Sequence, residues 1–275
     1  MGIYCNRTRN TPPHPSAETE QHEDRGRIVI SLGGSLIHGK DGENVQFLGE
    51  VKEFLKGRLD RSERFLLVCG GGEPARKRQA AAQALGQNST VWLDYLGIEA
   101  ARNNASLVLT ILALLGDSVY TMVLENPTLA TLLSNPVLVA GGIEPGHSSD
   151  FEAVMYARYC GSSEVINLSN VDRIYSSDPN HDSKATPYDR LTWRDYLTVI
   201  GSEWWPSRKV PFDPIAAQAA AHLGLTVVHL LGADLANLGR YLDGQSFVGT
   251  TIVPDDFNEV GRCAQRQYLN KRSRR

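Results

Sequence analysis

The sequence has few cysteines and no long hydrophobic run. Its four cysteines stand far apart among 275 residues, with no Cys-x-x-Cys pair and no Cys/His cluster, so the pattern excludes a disulfide framework and a structural zinc site. The longest apolar stretch, residues 105–116, is shorter than the roughly 20 residues that cross a bilayer. The N-terminus lacks the apolar core of a signal peptide. We therefore expect reduced thiols, a cytoplasmic location and no membrane partner.

Net positive charge is confined to the C-terminal tail. The chain carries a net charge of −3, but the tail after Gly261 holds six basic residues and no acidic one, so residues 1–260 carry −9. An acidic body disfavours nucleic acid as a partner. Residues 1–25 are polar and contain three prolines, so they offer little to bury. We expect a disordered N-terminal extension (1–25), one domain (26–260) and a basic tail (261–275).

The sequence does contain a regular alternation of apolar runs, glycine loops and helical patterns. Predicted strands cover residues 28–32, 65–69, 137–140, 164–168, 225–230 and 247–252. Predicted helices cover residues 47–59, 75–85, 93–115, 150–159 and 214–223. This alternation is typical of an α/β fold in which helices cover both faces of a parallel sheet.

Three of the predicted strands end in paired or tripled glycines, at residues 33–34, 70–72 and 141–142. Ligands bind where the carboxyl ends of parallel strands meet, and glycine amides before a helix can approach an anion closely. A tight turn explains any single loop equally well. Three such loops on one edge, in a chain without a P-loop or G-x-G-x-x-G motif, favour a phosphoryl-transfer enzyme.

Seven segments in a fixed order carry a family pattern. They are SLGGS (31–35), CGGGEPAR (69–76), LDYLGIEAARNNA (93–105), GGIEPGHSSD (141–150), SNVDRIYSSDP (169–179), PFDPIAA (211–217) and VGTTI (248–252). Together they resemble the amino acid kinase superfamily and, within it, the archaeal-type UMP kinases, over residues 28–254. The resemblance implies a three-layer αβα sandwich with a mainly parallel central sheet, ATP with Mg²⁺ as cofactor, and a homohexamer.

The resemblance also implies a donor-nucleotide site. Its ATP contacts are Ser31, Gly33, Gly34, Ser35, Gly72, Arg76, Ser169, Tyr175 and Asp178. Arg76, four residues after Gly72, matches an arginine that spreads the charge of the transferring phosphoryl group. The alternative, a solvated charge on the first turn of a helix, suits Arg78 as well.

An acceptor site for UMP is implied beside it. The matching residues are Gly71, Asp94, Ile143, Glu144, Pro145, Gly146, His147, Ser148 and Ser149. The resemblance makes Asp94 the contact to the ribose, and Asp150 a catalytic or Mg²⁺-related residue beside Arg76. For both aspartates a helix N-cap is the alternative. No protein-held metal site is implied.

The chain departs from the family pattern at several positions. Ser169 stands where threonine is usual, and Ser31 lies in the region where many relatives have a lysine. Arg173 replaces a common glycine, which predicts a reshaped turn or a strained backbone. Arg208 and Lys209 can supply cations, although we interpret them as a solvent-facing pair.

These patterns predict a nucleoside monophosphate kinase of pyrimidine nucleotide biosynthesis. It would move the γ-phosphoryl group of ATP to UMP by direct in-line transfer and give UDP and ADP. One alternative is another kinase of the superfamily, acting on acetylglutamate, carbamate or isopentenyl phosphate. The other is a non-catalytic relative that binds nucleotide or stores metal oxide, although the seven scattered histidines do not suggest clustered ligands.

Overall fold

The computed structural model of the chain describes residues 26–39, 41–179, 181–201 and 210–255. The predicted N-terminal extension (1–25) and basic tail (261–275) lie outside these residues, as do Arg208 and Lys209.

Strands and helices alternate along the described residues, as the sequence predicts. The strands are β1 (Ile28–Leu32), β2 (His38–Gly39), β3 (Gly42–Glu43), β4 (Phe65–Cys69), β5 (Val137–Ala140), β6 (Glu164–Ser169), β7 (Ile174–Tyr175), β8 (Pro187–Tyr188), β9 (Arg190–Thr192), β10 (Thr226–Leu231) and β11 (Thr250–Val253). The α-helices are α1 (Gly34–Ile37), α2 (Val45–Leu59), α3 (Gly72–Ala84), α4 (Thr90–Leu112), α5 (Ser149–Cys160), α6 (Trp193–Ile200), α7 (Pro214–His222) and α8 (Leu235–Leu242). Two 3₁₀ helices cover Ala113–Ser118 and Pro127–Thr131.

Seven of these strands form one sheet in the order β5-β4-β1-β6-β10-β11-β9. The first five strands are parallel, whereas β11 is antiparallel to β10 and parallel to β9. The reversal arises before β11, where the Asn237 amide group bonds both the N–H and the C=O of Val248. These two hydrogen bonds hold the segment before β11 against α8. From there, β11 begins at the carboxyl edge of the sheet and runs antiparallel to β10.

The two faces of the sheet bury separate cores, because side chains alternate along each strand. In β4, Leu66 and Val68 point to the face covered by α5, α6 and α7, and Leu67 and Cys69 point to the face covered by α1, α2, α4 and α8. The predicted three-layer αβα sandwich with a mainly parallel sheet is therefore confirmed.

Helix α4 is longer than the apolar run in the sequence. Among the described residues, 90–118 is the one helical stretch that is long and apolar enough to cross a membrane by length and composition alone. Its Ala105, Val108 and Leu112 are buried in the core on one face of the sheet. A core helix meets the same criterion, so this stretch is weak evidence for a membrane span.

Candidate functional site

Two glycine loops touch backbone to backbone at the carboxyl edge of the sheet. A Cβ atom on Gly34 would lie 2.3 Å from the Gly72 nitrogen and 2.4 Å from the Gly70 oxygen. A Cβ atom on Gly72, where φ is +63°, would lie 2.5 Å from the Gly34 carbonyl carbon. Helices α1 and α3 begin at these loops, and the first N–H groups of a helix have no partner within it. The contact thus gathers backbone donors suited to an anion.

Asn104 of α4 holds the second of these loops through hydrogen bonds to its carbonyl groups. Its side chain is 5% exposed, and its Nδ2 donates to the Gly70 oxygen at 2.7 Å and to the Gly71 oxygen at 3.3 Å. The loop carbonyls are therefore turned inward. This residue lies within a segment that carried the family resemblance, but the sequence analysis gave it no role.

The third glycine loop is clamped by two charged side chains. Gly142 has a φ of +70°, and a Cβ atom there would lie 2.6 Å from the Ile98 oxygen. The buried Glu152 carboxylate accepts hydrogen bonds from the backbone N–H groups of Gly142 at 3.1 Å and Ile143 at 2.6 Å. Arg102 Nε donates to the Gly142 oxygen at 2.8 Å. Burial raises the pKa of Glu152 to about 7. Sequence reasoning missed Glu152 because it lies two residues beyond the motif at residues 141–150.

The loop that follows, residues 143–149, bends over the start of α4. Asp94 Oδ2 accepts a hydrogen bond from the Gly146 N–H at 2.8 Å, and burial raises the pKa of Asp94. The His147 ring stacks on Phe151 at a centroid distance of 4.3 Å. Asp94 is not a helix N-cap, since α4 begins earlier and Ser89 occupies that position. The predicted acceptor residues of this loop and Asp94 therefore lie together.

A pair of aspartates joins α5 to the loop before α7. Asp150 accepts a hydrogen bond from Ser31 Oγ at 2.9 Å and another from the backbone N–H of Asp213 at 3.0 Å. Burial, together with the negative charge of Asp213, raises the pKa of Asp150 to about 7. Ser148 is the N-cap of α5 and also donates to Asp213. The capping alternative for Asp150 is therefore wrong, and sequence reasoning missed the contact of Asp213 with Asp150 and Ser148.

The first glycine loop, the second glycine loop and the start of α5 meet at one place. A Cβ atom on Gly70 would lie 3.0 Å from Ser149 Oγ and 3.1 Å from the Gly34 nitrogen. A Cβ atom on Gly33 would lie 3.0 Å from the Leu168 oxygen, at the end of β6. Residues that the sequence analysis assigned to ATP and to UMP are thus adjacent.

The predicted adenine-side residues have local partners. Tyr175 hydroxyl donates to Asp172 at 3.0 Å, and His181 Nδ1 lies 2.9 Å from Asp178. The turn at Arg173 has no positive φ, and Arg173 Nη1 lies 3.2 Å from Asp189. Arg173 therefore occupies this turn without straining its backbone, and the predicted strain is absent.

Arg76 lies one turn into α3 and is partly exposed. Its Nε and Nη2 both donate to Glu73 Oε2, at 3.2 and 3.1 Å. Arg78 is exposed. Because an exposed ion pair contributes little to stability, Glu73 can release the guanidinium to a phosphate group at small cost.

The described side chains at the site do not provide enough ligands to hold Mg²⁺ without the phosphate groups of a substrate. Across residues 26–39, 41–179, 181–201 and 210–255, no group of three or more His, Cys, Asp or Glu side chains could hold a metal ion. Mg²⁺ is commonly held by one or two carboxylates together with substrate phosphates and water. Both oxygens of Asp150 accept hydrogen bonds, and each keeps one lone pair for such an ion.

Comparisons with known proteins show the family of the chain. The model of the Amino acid kinase family matches residues 26–229. Uridylate kinase from Methanoculleus marisnigri is 34% identical over 233 residues, covering 83% of this chain and 96% of that protein. Uridylate kinase from Methanothermobacter thermautotrophicus is 34% identical over 232 residues, covering 83% and 100%. The crystal structure of uridylate kinase from Archaeoglobus fulgidus matches with a TM-score of 0.69 at 31% identity, covering 82% of this chain and 100% of that one. The chain belongs to the amino acid kinase family.

Proposed function

We propose that the chain is a nucleoside monophosphate kinase that transfers the γ-phosphoryl group of ATP to UMP, giving UDP and ADP. The observation that carries this proposal is the backbone contact between Gly34 and Gly72, which joins two anion-binding loops beside the loop at residues 141–150. Relatives named uridylate kinase, at 34% identity over most of the chain, support UMP as the acceptor.

On the donor side, the glycine loops would hold the ATP phosphates through backbone amides. The proposed contacts are Gly33, Gly34, Ser35, Gly72, Arg76, Ser169, Tyr175 and Asp178, whereas the sequence-predicted contact Ser31 is placed behind them. Ser31 is 1% exposed and donates to Asp150, so we assign it an indirect role through that carboxyl group. On the acceptor side, the proposed contacts are Gly71, Asp94, Ile143, Glu144, Pro145, Gly146, His147, Ser148 and Ser149.

Catalysis would depend on position and charge. The phosphate group of UMP is itself a nucleophile near neutral pH, so direct in-line transfer needs no strong general base. The backbone amides orient the two phosphate groups, and Arg76 balances the charge that spreads over the transferring phosphoryl group. Asp150 would hold the Mg²⁺ that ATP carries, and the ion would neutralise phosphate charge there. Arg76 and Asp150 are thus the proposed catalytic residues.

A screen of phosphate acceptors tests the proposal. Turnover is followed by coupled detection of ADP with UMP, CMP, dUMP, acyl phosphates and isopentenyl phosphate as acceptors. We expect UMP to be preferred and CMP to be poor, because Asp94 and the complete loop at residues 143–149 line one side of the site. Equal turnover of UMP and an acyl or isoprenoid phosphate would contradict the proposal. Metal analysis of the purified protein separates the proposed kinase from a metal-storage protein, which would contain bound metal.

We further propose that residues 26–260 form the catalytic domain. A chain truncated to these residues is expected to keep its turnover per subunit, because residues 1–25 and 261–275 have no apolar pattern in the sequence. Steady-state kinetics of the truncated and full chains, at equal subunit concentration, provide the measurement. A folded truncated chain that loses most of its activity would place one of the two tails in the site.

The proposal includes a cytoplasmic homohexamer that serves pyrimidine nucleotide biosynthesis. Its support is the family resemblance over residues 28–254. Light scattering on the purified chain measures the mass of the assembly, for which we expect six copies.

Glu152 gives a pH-dependent stability that can be measured without substrate. Its folded pKa of about 7 lies above the usual glutamate value, so the folded protein retains a proton that the unfolded chain releases. Its stabilising contribution is therefore complete below the usual glutamate pKa and is lost as pH rises toward 7. We expect the unfolding temperature of the wild type, relative to Glu152→Gln, to fall from pH 5 to pH 7.5. A difference that is constant with pH would show that Glu152 is ionised throughout.

A further inference from the structure

A row of buried polar side chains crosses the sheet beneath the candidate site. Ser31 of β1, Asn167 of β6 and His229 of β10 are register partners on neighbouring strands. They are 1%, 3% and 0% exposed, respectively. Burying polar groups is costly unless they form hydrogen bonds, so this row calls for an explanation beyond packing.

The hydrogen bonds of Asn167 and His229 define their roles. Asn167 Nδ2 donates to the Pro211 oxygen at 2.8 Å and lies 3.2 Å from His229 Nδ1. Because an amide nitrogen only donates, His229 Nδ1 accepts, and the ring proton is on Nε2. That nitrogen lies 3.1 Å from the Val171 oxygen, to which it donates. Burial lowers the pKa of His229 to about 4, so the ring is neutral near pH 7.

The two carbonyl groups held by this pair belong to opposite sides of the site. Val171 lies between Ser169 and Tyr175, in the segment proposed to contact the donor nucleotide. Pro211 lies two residues before Asp213, whose backbone N–H donates to Asp150. A single pair of side chains therefore connects the donor-side loop to the loop that carries the aspartate pair.

The bond between Asn167 and His229 is not needed to pack this part of the sheet. On the same face, the neighbouring positions of β6 and β10 are Val165 and Val227, both fully buried. Replacing both partners of a buried hydrogen bond with apolar groups of similar shape is often neutral or stabilising, which leaves the bonds to the Pro211 and Val171 carbonyls as what the polar pair supplies. The polar pair is therefore better explained by the two loops that it holds than by stability.

We propose that Asn167 and His229 are positioning residues that set the donor-nucleotide loop relative to the Asp150–Asp213 pair and thereby determine affinity for the adenine nucleotide. The inference rests on the proposed function only in assigning the segment at residues 169–178 to the donor nucleotide. UMP affinity is expected to depend little on the pair, because Asp94 and Glu152 hold Gly142, Ile143 and Gly146 of the acceptor loop, and only Ser148 donates to the segment that Asn167 anchors.

The test replaces both polar side chains in the full chain, as Asn167→Val/His229→Leu. We expect the dissociation constant for ADP, measured by calorimetry, to rise about tenfold, and KM for ATP to rise in parallel. KM for UMP is expected to stay within about twofold, and the unfolding temperature to fall, because the Pro211 and Val171 carbonyls lose their donors. Unchanged ADP affinity in the folded variant overturns the proposal. A lower unfolding temperature with both KM values unchanged overturns it as well, because it indicates a purely structural role.

Two single substitutions give a matched comparison that does not depend on the double variant folding. Glutamine at residue 229 places an N–H donor near the position of Nε2, whereas asparagine is one CH₂ shorter and cannot reach the Val171 oxygen. His229→Gln is therefore expected to bind ADP nearly as the wild type does, and His229→Asn to bind it about tenfold more weakly. Equal ADP affinities for these two variants contradict the proposal.

Tyr156→Phe serves as the control, because it removes another buried hydrogen bond, from the Tyr156 hydroxyl to the Leu124 oxygen at 3.0 Å. It is expected to leave ADP affinity unchanged, and an equal loss of affinity in this control would contradict the proposal.

Failure of the proposed function can be distinguished from failure of this inference. A wild type that binds ADP but does not phosphorylate UMP disproves that function, and the calorimetric comparison of variants still decides the role of the pair.

Discussion

Gly72→Ala is expected to destabilise the fold and remove most of the activity. The added Cβ atom would lie 2.5 Å from the Gly34 carbonyl carbon and 2.6 Å from its oxygen, at a φ of +63°. Left-handed backbone costs a non-glycine residue roughly 1–2 kcal/mol, and forced overpacking costs about 1–3 kcal/mol more. We therefore expect the free energy of unfolding to fall by roughly 2–5 kcal/mol. We also expect kcat/KM to fall about 10²-fold, since a small displacement of phosphate-binding amides has an effect of that size.

Gly86→Ala is the matched control for this prediction. Gly86 also has a positive φ, +88°, but a Cβ atom there would meet nothing within 4 Å. It should lose only the roughly 1–2 kcal/mol due to the backbone conformation and keep full activity. Urea denaturation and steady-state kinetics on both variants separate the effect of the contact between the loops from the effect of the backbone conformation. Equal losses of stability and activity at the two positions would contradict the role given to the contact between the loops.

Arg76→Ala is expected to lower kcat by roughly 10²-fold or more, or about 3 kcal/mol, which is typical of losing one well-placed charge-stabilising donor. The reason is that charge is redistributed over the phosphoryl oxygens mainly in the transition state. Arg76→Lys should restore only part of the rate, because an ammonium group cannot reproduce the planar two-pronged contact. The measurement is steady-state kinetics with both nucleotides varied, on variants shown to be folded by circular dichroism.

Arg78→Ala is the control for Arg76, since Arg78 is exposed and lies two residues further along the same helix. Its substitution should cost little activity. Comparable losses at the two arginines would indicate that Arg76 has no special position. A rise in KM without a change in kcat at Arg76 would indicate that it binds ground state and transition state equally.

The parallel part of the sheet was predictable because its strands are short apolar runs, three of which end in paired or tripled glycines. The predicted and observed strands agree within one residue for β1, β4, β5, β6 and β10. Helices α6 and α8 were missed, because each has only eight residues and too few turns for periodicity to stand out. A signal was present for α6, where Thr192 and Asp195 form a capping box. The direction of β11 depends on the contact of Asn237 with Val248, which no local pattern indicates.

The site was predictable as a set of loops but not as a set of contacts. Parallel topology brings strand ends to one edge, which is why the motif residues lie together. The capping alternatives for Asp94 and Asp150 were wrong because a cap depends on the first residue of the helix. Ser89 lies five residues before Asp94, and Ser148 lies two residues before Asp150. The bonds of Asp150 to Asp213 and of Glu152 to Gly142 depend on tertiary packing.

The contact between Gly34 and Gly72 has a consequence for sequence divergence. A side chain at either position points into the backbone of the other loop, and because the other residue is already glycine, no smaller side chain there can make room for it. The effects of substituting both residues are expected to be non-additive, as for residues in direct contact. Neither loop can therefore gain a side chain at these positions while the backbone of the other stays in place.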